Sequence, residues 1–98
     1  MYVILWTFEV RPGFETEFER VYAADGDWAQ LFRQSPGFIG TELLHDVERR
    51  RHYSTIDRWE SREDFEGCRR EFRTAYDALD LRCAPLRVNQ RLVGRFQE

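Results

Sequence analysis

The sequence has little of what staples or interrupts a chain: two cysteines, three prolines and six glycines in 98 residues. Cys68 and Cys83 fall in one predicted helix, and at a rise of ~1.5 Å per residue they stand too far apart to bridge. Unpaired thiols point to a reducing compartment, so the cytoplasm is the expected location. No apolar run approaches the ~20 residues of a membrane span. Tyr2–Trp6 has no charged leader before it and no cleavage-like small residues after it, so no signal peptide is expected. Charge of one sign is also lacking. The 15 basic and 18 acidic residues leave a net charge of −3 and are spread along the chain, which presents no basic face to a nucleic acid. A Gly-rich phosphate loop and a serine nucleophile elbow are missing, and the sequence alone shows no cysteine in an activating basic setting. Hydrolase, kinase and dinucleotide-binding functions therefore have no support.

Aromatic side chains, by contrast, are abundant: eight Phe, four Tyr and three Trp within an apolar fraction of 42%. That is core material for one domain, residues 1–98, with no linker, repeat or low-complexity tract to divide it.

The pattern alternates between two periods. Tyr2–Val10 is rich in β-branched and aromatic residues and stops at Arg11-Pro12-Gly13, a strand followed by a turn. Phe14, Phe18, Val21 and Tyr22 recur at helical spacing, Ala24-Asp25-Gly26-Asp27 interrupts them, and Trp28, Leu31 and Phe32 resume the stripe up to Ser35-Pro36-Gly37. Phe38–Asp46 and His52–Trp59 read as a hairpin. Ser61 and Asp64 form a capping-box-like start for a single long helix, with Phe65, Cys68, Phe72, Ala75, Tyr76, Leu79 and Cys83 on one face. Pro85 ends it. From Leu86 to Phe96, Val88, Gln90, Leu92 and Phe96 alternate with Arg87, Asn89, Arg91 and Arg95, predicting a last strand with one wet face.

The order β-α-β-β-α-β predicts a ferredoxin-like α+β fold: an antiparallel sheet with strands one and three central and both helices on one face. The first strand is apolar on both faces, Val3 and Leu5 on one, Tyr2, Ile4, Trp6 and Phe8 on the other. The uncovered face therefore needs a partner, and a second copy of the same surface is the expected one.

Setting Asp46 opposite His52 pairs Ile39 with Trp59, Thr41 with Asp57, Leu43 with Thr55 and His45 with Tyr53 on one face. A carboxylate, two hydroxyls and an imidazole among aromatic walls make a small-molecule pocket. A carboxylate on a central strand is costly to bury, so Asp57 has either a role or a partner, and Arg69 and Arg73 on the following helix are the candidates for the latter. His45 and His52 lack the neighbours of a metal site, and none is expected. Arg49-Arg50-Arg51 reads as a solvated loop tip between acidic neighbours.

Three phrases, Tyr2–Phe8 with Arg11-Pro12-Gly13, Ser35–Leu43, and Asp57-Arg58-Trp59-Glu60-Ser61 before a long helix, resemble the antibiotic biosynthesis monooxygenase family over nearly the whole chain. The resemblance implies a dimeric α+β barrel. In the branch that oxidises aromatic polyketide phenols with dioxygen and without metal or flavin, Trp59 matches the Trp closing strand three. The Tyr early in that branch's next helix falls near Phe65, so a proton donor or acceptor must come from Asp57, His45, Tyr53 or Tyr76. In the haem-degrading branch, an Asn on strand one and a His on helix two accompany that Trp. Here strand one has Thr7 and the helix position has Arg69, which weighs against haem degradation. The expectation is a cofactor-independent monooxygenase for a small aromatic or polyketide-type substrate. Asp57 or His45 acts as base, and Trp59, Phe65, Phe72, Tyr53, Thr41 and Tyr76 surround the substrate. The alternatives are a non-catalytic dimeric module binding a small ligand or regulating a partner, and a polyketide cyclase or isomerase.

Overall fold

Four strands and four helices are described over residues 1–98 by a computed structural model: β1 (Tyr2–Val10), α1 (Glu15–Tyr22), α2 (Asp27–Phe32), β2 (Phe38–His45), β3 (His52–Trp59), α3 (Arg62–Glu71), α4 (Arg73–Cys83) and β4 (Arg87–Gln97). A 3₁₀ turn, Ala84–Leu86, leads into β4. The sheet is antiparallel in the order β2-β3-β1-β4, with β3 and β1 central and the helices on one face. This is the expected ferredoxin-like α+β architecture. No helix is long and apolar enough to cross a membrane.

The helix-covered face carries Tyr2, Ile4, Phe8 and Val10 from β1, all buried, with Tyr53, Thr55 and Trp59 from β3. Against them pack Phe18, Val21 and Tyr22 of α1, Trp28, Leu31 and Phe32 of α2, Phe65 and Cys68 of α3, and Leu79 and Cys83 of α4. The aromatic rings run in edge-on, stacked and tilted contacts from Phe8 through Phe18 and Tyr22 to Trp28, then through Phe32 to Trp59 and Phe65. Such pairs add about 0.5–1.5 kcal/mol each to the burial of their area.

Cross-strand register organises this face into rungs. Phe38, Trp59, Tyr2 and Gln97 form the first, then Thr41, Asp57, Ile4 and Arg95, then Leu43, Thr55, Trp6 and Leu92, then His45, Tyr53, Phe8 and Gln90. Two expectations are corrected. An irregularity between Phe38 and Gly40 puts Phe38, not Ile39, beside Trp59, and leaves Ile39 exposed. A bulge between Leu92 and Gly94 shifts the alternation of β4, so that Arg95 joins Leu92 and Gln90 on the helix side while Phe96 lies on the open side.

The long second helix is also divided. Phe72 leaves helical geometry (φ −107°, ψ 32°), yet its N–H still reaches the Cys68 carbonyl and its own carbonyl accepts from Tyr76. The helix kinks at this one residue, whose own two helical hydrogen bonds survive, and Phe65 and Tyr76 on either side of it both reach the same part of the sheet. Cys68 and Cys83 consequently sit in different helices, both buried and unbridged. The N-terminus of α3 carries the capping-box-like pair read from the sequence: the Asp64 N–H donates to Ser61 Oγ at 3.1 Å, and the Ser61 hydroxyl donates to the Asp64 carboxylate at 2.9 Å.

Candidate active site

The rung of Asp57 is where packing is incomplete. Between the sheet and the helices lies a cavity of about 330 Å³, with Ile4, Trp6, Thr41, Thr55 and Asp57 on its sheet side and Trp28, Phe32, Phe65, Arg69 and Tyr76 on its helix side. Gln90, Arg95, Arg87 and Asp80 complete it along β4 and α4. Gln90 and Arg95 are exposed, so the mouth opens at the β4 edge, while Asp57 lies deeper on the central strand. The size and the mostly apolar wall with a few polar groups suit one small organic molecule.

Asp57 has one side-chain partner. The Thr41 hydroxyl donates to its Oδ1 at 2.7 Å, across the β2–β3 pair that the register sets opposite. Neither arginine considered as its counter-ion pairs with it. Arg73 bonds Asp77 on the surface at 3.3 Å, and Arg69 lies over the rings of Tyr76 (5.1 Å) and Phe65 (5.8 Å). Burial pushes the Asp57 carboxyl up to about 6, against the Thr41 hydrogen bond, which favours the charged form. A carboxyl of that strength is mostly ionised at neutral pH, yet it is a stronger base than an ordinary aspartate and can accept a proton there. Burial also raises the Tyr76 phenol, an effect opposed by Arg69, so Tyr76 stays protonated as a hydrogen-bond donor.

Four of the residues expected at the site meet at this cavity: Asp57, Thr41, Phe65 and Tyr76. The other four do not line it. Trp59 has no exposed surface and is enclosed edge-on by Phe32, Phe38 and Phe65. Phe72 packs against the core from the helix kink. His45 and Tyr53 share the correct face but lie four residues along the strands from Thr41 and Asp57, about 13 Å at ~3.3 Å per residue. There the His45 ring stacks on Tyr53 (centroids 4.2 Å apart), its Nε2 meets the Arg50 carbonyl, and the Tyr53 hydroxyl donates to Glu19.

Other residues line the cavity without a signal in the sequence that marks them. Trp6 and Trp28 fall in a strand and a helix with no site role expected from the sequence, and Arg87 and Arg95 on the expected wet face of β4; Thr55, one of the two hydroxyls expected on this face, does line the cavity. Arg87 donates to the Tyr22 hydroxyl at 3.0 Å and to Asp80 at 3.2 Å, closing one end of the cavity. No group of three or more His, Cys, Asp or Glu side chains stands close enough to hold a metal ion. The cavity wall contains no His, Cys or Met.

Solved structures share this architecture. SnoaB, a cofactor-independent oxygenase from Streptomyces nogalater, is 26% identical with a TM-score of 0.76, the match covering 99% of this chain and 91% of that one. MhuD, a haem-degrader from Mycobacterium tuberculosis, is 26% identical with a TM-score of 0.71, covering 100% and 95%. PA3566 from Pseudomonas aeruginosa, at 15% identity and a TM-score of 0.72 over 99% and 92%, is similar in fold. No curated protein sequence matches the chain. Residues 1–77 match the antibiotic biosynthesis monooxygenase family along most of the chain, from β1 into α4, and the chain belongs to that family.

Proposed function

We propose that this chain is a cofactor-independent monooxygenase that oxidises a small aromatic, polyketide-type substrate in the cavity over Asp57, and that it works in the cytoplasm as a homodimer formed through the open sheet face. The observation that carries the catalytic reading is Asp57 itself: a carboxyl on the cavity floor, without a cationic partner, shifted by burial to about 6 and surrounded by aromatic walls. The likeness to SnoaB supports it. The same degree of likeness to MhuD raises haem degradation, but the cavity wall lacks the His, Cys or Met that holds haem iron in many proteins.

In this reading Asp57 removes the acidic proton of a phenol or of an activated ring methylene, and the electron-rich carbanion reduces dioxygen. A C–O bond forms, the hydroperoxide loses water, and the methylene becomes a carbonyl. Four electrons pass from substrate to dioxygen, whose two atoms end in the product carbonyl and in water. Thr41 orients the carboxylate by its hydrogen bond, Tyr76 donates to developing oxygen charge, and Trp6 and Phe65 hold the ring.

The test is oxygen consumption by metal-free protein with anthrone and naphthol substrates. Wild type takes up oxygen, Asp57→Asn loses at least ~100-fold in kcat, as expected for removal of a general base, and His45→Ala retains activity. Uptake that survives in Asp57→Asn sinks the assignment. No uptake by a folded protein that still binds the rings favours the binding module.

A further inference from the structure

The charged side chains of the cavity do not balance among themselves. Arg87 is satisfied by Asp80 and Tyr22. Arg69 and Arg95, which also line the cavity, belong to no ion pair. The chain contains no lysine, so these guanidinium groups are the free cations there. Arg69 Nε is buried with no hydrogen-bond acceptor, while the guanidinium lies over the rings of Phe65 and Tyr76. A buried guanidinium N–H without an acceptor is costly, and an anion entering the cavity removes that cost.

Arg95 stands in the rung Thr41, Asp57, Ile4, Arg95. With strands ~4.8 Å apart, the backbones of Asp57 and Arg95 are about 10 Å from each other, separated by Ile4. The cavity is therefore polarised: the acid–base group sits over β3 and a cation over β4, with an apolar floor between them.

We propose that the ligand of this cavity is an aromatic carboxylic acid, its ring over Ile4 between Trp6, Phe65 and Tyr76 and its carboxylate held by Arg69 and Arg95. The inference rests on the cavity reading above and adds the substrate's charge to it. A planar carboxylate matches the guanidinium fork and takes two parallel hydrogen bonds. A phosphate dianion is the weaker fit, because Arg69 lies in the last turn of α3, where the negative end of the helix dipole opposes a second negative charge.

Calorimetric titration with 3-hydroxy-2-naphthoate and with 2-naphthol, which share a ring and differ in the carboxylate, tests this. Wild type binds the naphthoate at least ~10-fold more tightly, the scale of one charge-assisted bidentate contact. The preference falls to within ~3-fold in Arg69→Gln and shrinks in Arg95→Gln, an exposed position whose loss leaves the core intact. Arg70→Gln, next in α3 but outside the cavity, keeps it. Added salt weakens naphthoate and not naphthol. Equal binding of the two probes, no binding of either, or a preference untouched by both cavity substitutions overturns the proposal. Oxygen uptake is scored separately. Preference without uptake removes the oxygenase reading and keeps the acid site; uptake without preference does the reverse.

Discussion

Thr41 and Asp57 face each other across β2 and β3, and the Thr41 hydroxyl donates to Asp57 Oδ1 at 2.7 Å. This hydrogen bond is the only side-chain contact that favours the ionised form of a carboxyl which burial holds at about 6. The sign of the stability effect follows. The unfolded chain titrates this group near 3.9, so between about pH 4 and pH 6 the folded chain binds more protons, and stability falls as the pH rises through that window. Two pKa units correspond to at most about 3 kcal/mol, and water in the open cavity reduces the expected figure to about 2 kcal/mol. Asp57→Asn should be more stable than wild type by that amount at pH 7.5 and level with it at pH 4, measured by urea denaturation. A difference that stays constant with pH would mean that Asp57 titrates normally.

Removing the donor moves the same group further. Thr41→Val keeps the shape of the side chain and deletes the hydrogen bond, so the Asp57 carboxyl should rise by a further ~0.5–1 unit. The acid limb of the pH–activity profile then shifts up by that much. Thr55→Val serves as the control, since Thr55 lines the cavity without bonding Asp57. An identical displacement in both variants would assign the effect to cavity polarity and not to the hydrogen bond.

Trp59 matches the family pattern in sequence, yet it lies wholly within the core against Phe32, Phe38 and Phe65. Trp59→Ala should cost about 3–5 kcal/mol, read as a lower midpoint in thermal or urea unfolding. Activity lost in that variant therefore reports folding first. Trp59→Phe, which leaves a smaller void, should lose less stability and retain ring binding in the cavity. A Trp59→Ala protein as stable as wild type would contradict this packing.

The element order, the sheet order and the Thr41–Asp57 pairing were legible because each follows from hydrophobic period and hairpin register, which are properties of local sequence. What escaped were single-residue departures from those periods. One extra residue in β4 turns Arg95 and Phe96 to the opposite faces from those that strict alternation gives, and only Gly94 hints at it. The kink falls at Phe72, which keeps its own two helical hydrogen bonds, and no Gly or Pro marks it. His45 was placed on the right face, but a face extends along the whole strand, and four residues of rise remove it from Asp57. Arg69 was considered as a counter-ion to Asp57. Its position over two aromatic rings depends on where the kink puts Tyr76, which no spacing rule gives.

Two glycines with positive φ separate backbone strain from contact. Gly13 (φ +87°) has open space where a Cβ would stand, whereas at Gly37 (φ +91°) a Cβ would fall 2.4 Å from Asp64 Cγ. Gly13→Ala should cost about 1 kcal/mol, the backbone term alone. Gly37→Ala should cost at least about 2 kcal/mol, because it also pushes Asp64 away from its Ser61 partner at the start of α3. Equal losses on thermal unfolding would show that Asp64 moves aside freely.

The open face of the sheet supports the last prediction. Val3 and Leu5 of β1, Ile56 of β3 and Phe96 of β4 project away from the helices, and Leu44 and Phe96 are about half exposed. Apolar groups on both faces of a central strand need cover on both, and α1 to α4 occupy one face only. If a second copy covers the other, a charge at its centre removes the dimer without touching the cavity. Ile56→Asp fits that purpose, since it lies between Leu5 and Glu42 in the register and faces away from Asp57. Sedimentation should give a dimer for wild type and a monomer for Ile56→Asp, with helical circular dichroism unchanged. Wild-type monomer at micromolar concentration would leave this apolar face without its proposed cover and would sink the homodimer.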